Sequence, residues 1–204
     1  MADVRDHWED VYKTKAETAV SWYQPQSARS LAWIASVAGP AVPIIDIGGG
    51  TSTLVDDLLA NGFSDVTVLD VAEAALAKSK ARLGARAGKV SWIVADITTW
   101  RPERRFEVWH DRAVFHFLTE DAQQAAYVAA LTAGTAPGAT VVMATFALDG
   151  PENCSGLAVQ RYSPQTLAAR LGPPFALIDS AQESHRTPWG AEQKFSYAMF
   201  RRSG

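Results

Sequence analysis

Asp46-Ile47-Gly48-Gly49-Gly50-Thr51-Ser52 sets a carboxylate just before three consecutive glycines and the start of a helix. Consecutive glycines let the backbone turn sharply and approach a ligand without Cβ clashes. The helix N-terminus that follows is placed to hydrogen-bond an anionic group. A pyrophosphate fingerprint needs glycine at the sixth position from Gly48, where Thr53 stands. Asp46 would also repel pyrophosphate, but it suits a ligand carrying an ammonium or sulfonium charge. Asp70 lies 20 residues beyond Gly50, the spacing at which an acidic side chain accepts hydrogen bonds from ribose hydroxyls. The same Asp70 is equally suited to capping a helix from Ala72 onward. Asp96-Ile97 offers a carboxylate and an apolar side chain for an adenine edge, or a turn-forming aspartate.

The densest run of reactive types is His110-Asp111-Arg112-Ala113-Val114-Phe115-His116. Asp111 is expected to face the reacting group. Arg112 either meets the substrate or pairs with Asp111 or Asp46. His116 titrates near neutrality and is a candidate base, with a structural role open beside it. Cys154 is read as a passive small residue, because nothing nearby in sequence would depress its pKa. No metal site is expected, since His116, Cys154 and His185 are widely spaced. No nucleophile elbow of the GxSxG type occurs.

These residues need a scaffold that gathers them at one edge. Val42–Ile47, Val66–Leu69, Val90–Val94, Phe106–His110 and Thr140–Phe146 read as buried strands. Ser52–Ala60, Ala72–Arg86 and Asp121–Ala133 read as the helices between them. Alternating strands and helices imply a doubly wound parallel sheet with helices on both faces, whose ligands bind at the carboxyl ends of the strands. Val4–Lys13 and a helix from Ser27 to about Ala38 form a short N-terminal helical cap. Pro164–Leu171 is a helix with Ser163 as N-cap. Phe175–Asp179 and Phe195–Phe200 follow with no helix between them, joined by a loop holding His185 and Trp189. They predict a C-terminal antiparallel β-hairpin that completes a seven-stranded α/β sheet. Gly150–Gly156 is rich in turn formers and reads as a flexible lip. Trp33, Trp92 and Trp109 are expected in the core, and Trp8 under the first helix. Trp22, Trp100 and Trp189 are expected in loops near the ligand edge.

Taken together, the four strand-end motifs resemble the class I S-adenosylmethionine (SAM)-dependent methyltransferases over about residues 40–148. Asp46–Ser52 is similar to that family's DxGxGxG motif, with serine for the third glycine. Val66-Thr67-Val68-Leu69-Asp70 is similar to its ribose-binding strand, Asp96-Ile97 to its adenine motif and Phe106–Asp111 to its fourth strand. The resemblance implies SAM as cofactor and S-adenosylhomocysteine (SAH) as product. It implies Asp46, Gly48, Gly49, Gly50, Ser52, Asp70, Val71, Asp96, Ile97 and Asp111 at the cofactor, with Trp22 and Tyr23 closing over its methionine end. It implies catalytic roles for Asp111 and His116, and substrate contacts from Arg112, His116, His185 and Trp189. Trp8-Glu9-Asp10-Val11-Tyr12, Trp22-Tyr23 and Asp111-Arg112-Ala113 are similar to the seven-strand protein lysine methyltransferases. Those carry Asp-Arg/Lys-Gly after strand four, where Ala113 stands here. The acceptor is therefore left between a small molecule and a protein lysine. An NAD-dependent oxidoreductase and a non-catalytic SAM-binding protein are the alternatives.

Composition narrows the classes further. The chain has 204 residues, a net charge of −3, 48% hydrophobic and 20% charged residues, which favours one folded domain over disorder. The single domain is read as residues 1–204, with a cap over 1–38 and a core over 40–204. The 19 basic and 22 acidic side chains are interspersed, so nucleic-acid binding is not expected. The charged start, Met1 to Trp8, lacks a signal peptide's apolar stretch, and no run is long enough to span a bilayer. With one cysteine, no internal disulfide forms, which fits the reducing cytoplasm. A monomer or homodimer is expected.

Overall fold

Ile44–Ile47 (β1) and Val66–Asp70 (β2) are buried at every position. Strands with both faces covered are mostly apolar, which is why these runs do not alternate; Asp46, Thr67 and Asp70 are their buried polar positions. A computed structural model of the chain describes residues 4–203. Met1–Asp3, which begin the charged stretch noted above, and Gly204 lie outside the described residues. β1 pairs in parallel with β2 on one side and with Phe106–Arg112 (β4) on the other. Val90–Val94 (β3) adds to β2, and Thr135–Phe146 (β5) adds to β4. A long antiparallel hairpin, Phe175–Arg186 (β8) and Glu192–Arg202 (β9), joins through β9 to β5. The order is β3-β2-β1-β4-β5-β9-β8, the seven-stranded, mostly parallel sheet expected from the alternation.

Helices cover both faces. Val4–Thr14 (α1) and Ala28–Val37 (α2) precede the sheet, and Leu54–Ala60 (α3) and Glu73–Leu83 (α4) alternate with its first strands. Ile34, Leu54, Leu58, Leu76 and Leu83 pack with Ile44 and Val68 in one apolar layer. Asp121–Gly134 (α5) and Pro164–Leu171 (α6) lie in the opposite layer. There Tyr127, Leu131, Leu167 and Leu171 pack with Ile45, Ile47, Trp109 and Val141. Each such aliphatic side chain contributes about 1.5–3 kcal/mol on leaving water.

Three expectations are corrected. β8 and β9 extend well past the expected bounds, so His185 sits in a strand and only residues 187–191 turn. β8 is an edge strand whose outer positions are exposed; its polar stretch concealed it because only one face needs to be apolar. The lip at 150–156 is a small hairpin of its own, Asn153–Cys154 (β6) with Leu157–Ala158 (β7). It turns through Ser155 and Gly156, both at positive φ, the backbone that primed hairpin turns require. Trp92 lies on the edge strand β3 and Trp33 on α2; both are half-buried, whereas Trp109 is fully buried.

Candidate active site

The carboxyl ends of β1, β2, β3 and β4 converge on two adjoining cavities. Ile47, Gly48, Asp70, Val71, Asp96 and Ile97 line the larger, which holds about 800 Å³ of empty space, part of it open to solvent. That volume falls within the range of ligand pockets. Tyr23, Asp46, Gly48, Gly49 and Ser52 line the second. Trp22, Gly48 and Arg112 belong to both.

The glycine turn is required by close approach. A Cβ on Gly49 would lie 2.6 Å from both Asp46 Oδ2 and Val68 Cγ1, and one on Gly48 would lie inside Val114. Gly48 and Gly50 have φ of 64° and 42°. Gly50 faces Asp70 Oδ2 and the Tyr12 hydroxyl, each 2.9 Å from a would-be Cβ. The turn is tied down by Gly48 N–H donating to Leu69 O at 2.7 Å. Arg82 on α4 donates to the carbonyls of Thr51 and Ser52 and also pairs with Asp56 and Glu17. Ser52 Oγ accepts from Leu54 N–H, so it opens α3 as well as lining the cavity.

Asp46 is held from one side only. His110 Nδ1 donates to its Oδ1 at 2.7 Å, and the Ser30 hydroxyl lies 2.8 Å from His110 Nε2. All three side chains are buried. Asp46 Oδ2 is buried and has no hydrogen-bond partner. Buried polar atoms are rarely left so, and this one sits against the cavity wall. Asp70 Oδ1 accepts from Ala72 N–H at 2.8 Å, so it opens α4 and lines the cavity at once. Burial raises its pKa to about 7, with Asp46 adding to the rise and the Ala72 bond opposing it. Asp96 Oδ1 accepts from the Thr98 N–H and hydroxyl, again while lining the cavity.

The segment after β4 departs from expectation. Asp111 is fully buried beneath the cavity, not in its lining. It accepts from the Tyr127 hydroxyl at 2.6 Å and from the Val114 and Phe115 N–H groups. Burial lifts its pKa to about 6 against those bonds. His116 is fully buried as well, and its Nδ1 accepts from Phe146 N–H. Desolvation, with a smaller contribution from Arg112, drops its pKa to about 3. Neither side chain reaches the cavity, because the chain turns between them at Ala113. Ala113 holds φ 71°, a left-handed conformation in a position that is glycine in the Asp-Arg/Lys-Gly pattern. Such a residue stores roughly 1–3 kcal/mol of strain and is held by its surroundings.

Arg112 pairs with neither Asp111 nor Asp46. Its Nε donates to the Tyr197 hydroxyl, its Nη1 donates to Trp22 O, and it stacks on the Phe195 ring. His185 Nε2 is 2.7 Å from Ser21 O, which fastens the Trp22 loop instead of contacting the cavity. Trp189 is 63% exposed at the tip of the β8–β9 turn and lines neither cavity. His110, Tyr12 and Arg82 are the residues around the site to which sequence reasoning gave no role.

Residues 44–138 match the family model described as Methyltransferase domain. Over that stretch, just under half of its length, the chain is similar to a methyltransferase domain. It is 25% identical over 120 residues to the eEF1A lysine and N-terminal methyltransferase of Mus musculus, across 58% of this chain and 17% of that protein. The chain thus spans under a fifth of the length of the curated relative it matches. A SAM-dependent methyltransferase from Anabaena variabilis superposes with a TM-score of 0.77 at 16% identity, covering 99% of this chain and 96% of that one. The N-methyltransferase NodS from Bradyrhizobium japonicum, in complex with SAH, gives 0.75 at 16% identity, covering 99% and 100%. These likenesses show the class I methyltransferase fold. Within the matched stretch, the DxGxGxG-like turn and Asp70 occupy adjoining strand ends.

Proposed function

We propose that the chain, as one domain with a 1–38 cap on a 40–204 core, is a SAM-dependent methyltransferase. The observation that carries this reading is the unpartnered, buried Asp46 Oδ2 beside a glycine turn that any Cβ would fill. A carboxylate so placed fits a positively charged ligand end and opposes pyrophosphate. The buried carboxyl of Asp70 fits ribose hydroxyls, and Val71, Asp96 and Ile97 fit the adenine. Trp22 offers an aromatic face near the same carboxylate, which favours a cation. When bound, SAM supplies an electrophilic methyl group. The protein's part is to hold the acceptor in line and keep water out, a contribution of about 7–11 kcal/mol in well-placed cases.

Asp111 and His116 are engaged elsewhere, which supports transfer without a protein base. A lone cysteine supports action in a reducing cytoplasm, and interspersed charges support a reading without a nucleic-acid partner; the reading includes a monomer or homodimer. Among the described residues no helix is long and apolar enough to cross a membrane. Isothermal titration with SAM, SAH and NAD tests the reading. Binding of SAM and SAH without NAD is expected, and NAD binding alone would replace methyl transfer with hydride chemistry.

A further inference from the structure

Resting on the cofactor reading above, we infer that the rest of the larger cavity takes a planar, apolar organic acid as methyl acceptor, with its oxyanion on Arg112. The part built by α1, the Trp22 loop and the segment after β4 is an aromatic box. Trp8 meets Trp22 edge to face at 5.7 Å between ring centroids, and Phe117 at 5.0 Å. Leu118 and Cys154 extend the same wall. These packed rings line the cavity together, and an apolar aromatic wall suits a flat ring system.

Arg112 is the charged side chain of that part; among the lining residues the carboxyls, Asp70 and Asp96, belong to the ends of β2 and β3. The Arg112 side chain is 10% exposed, and its Nη2 is buried with no hydrogen-bond partner. Glu183 Oε1 stands 4.0 Å away, but it accepts from Gln24 Nε2, while Glu183 Oε2 pairs with Arg29. A buried guanidinium N–H without an acceptor calls for one from outside the chain. A lysine ammonium would meet Arg112 as a like charge, with no carboxylate among the described residues lining that part to pair with it. An acid that arrives ionised would form its O–CH3 bond with its own lone pair as the S–CH3 bond of SAM breaks, and neutral SAH would leave. Such an acid therefore needs no proton acceptor, in keeping with the burial of Asp111 and His116.

Three probes of one shape test this: 2-naphthoate, 2-naphthamide and 2-naphthylmethylammonium, titrated against the protein saturated with SAH and followed by calorimetry. The anion is expected to bind at least tenfold more tightly than the cation, with the amide between them. Arg112→Gln, compared at saturating SAH, should bring the three within about threefold, and Arg112→Lys should keep the order. Equal or tighter binding of the cation overturns the assignment, as does an undiminished anion preference in Arg112→Gln. Methyl transfer to a lysine side chain of an unstructured peptide overturns it too. If Arg112→Gln fails to fold, the probe order on the unaltered protein decides. A flat SAH isotherm sinks the cofactor reading, whereas bound SAH without anion preference sinks the acceptor assignment alone.

Discussion

Asp70 holds its proton up to about pH 7, although a free aspartate loses it near 3.8. Between those values the folded chain is the proton-richer state, so this residue's contribution to stability falls as pH rises through the window. On the proposed cofactor reading, ribose hydroxyls would donate to the ionised carboxylate and favour it. SAH affinity should therefore rise from pH 5 to 8, with proton release near neutrality. Calorimetry in buffers of different ionisation enthalpy reads this directly. Asp70→Asn should abolish the proton release, and Asp70→Ala should weaken SAH binding by roughly 1.5–3 kcal/mol, the scale of hydrogen bonds to a charged group. His116 has the opposite sign. Folded, it stays neutral down to about 3 against an ordinary 6.5, so its share of stability is lost as pH falls below 6.5. His116→Phe strands the Phe146 N–H and should destabilise by about 1–3 kcal/mol at neutrality. That deficit should shrink toward pH 4.5 in thermal melts; a constant deficit would refute the buried neutral imidazole. The carboxylates at 46, 70 and 96 were legible because each follows an apolar run directly. His110 was not, because its partners Asp46 and Ser30 lie 64 and 80 residues away.

At the scale of elements, legibility followed burial. Strands covered on both faces announce themselves as apolar runs, and β1, β2 and β4 were found that way. β8 shows its inner face alone, so Ser180–Arg186 read as loop. Caps are local and read well. Ser163 Oγ accepts from Thr166 N–H, and Thr166 Oγ1 accepts from Ser163 N–H. Ser163→Ala should cost about 1 kcal/mol, a drop of roughly 2–4 °C in Tm. The glycine turn is less forgiving. Gly49→Ala drives a methyl onto Asp46 Oδ2 and Val68, and overpacking of this kind costs about 1–3 kcal/mol. SAH binding should fall further than stability does, because the atom displaced is the unpartnered carboxylate oxygen. Equal losses would mean that Asp46 Oδ2 plays no part in holding the ligand.

For the whole molecule, the strand alternation and the terminal hairpin already implied the sheet observed. The tryptophan placement did not follow so simply, since an edge strand and a core strand differ in neighbours that no local pattern records. Amide exchange should rank the structure by depth: β1, β4 and β5 slowest, the β6–β7 hairpin among the fastest, with SAH slowing α1 and the Trp22 loop. Uniform protection would contradict the layering. One tie joins these regions. Glu9 on α1 accepts from the Glu73 and Ala74 N–H groups that open α4. Its partial burial is outweighed by those bonds and by Lys13, and its carboxyl is held below the usual range. The same α1 carries Trp8 and Tyr12 into the cavity wall. If a bound ligand leaves past α1, its residence time is expected to depend on that clasp as well as on the pocket. Glu9→Gln should shorten the lifetime of bound SAH in stopped-flow displacement severalfold while leaving the residues that touch it unchanged.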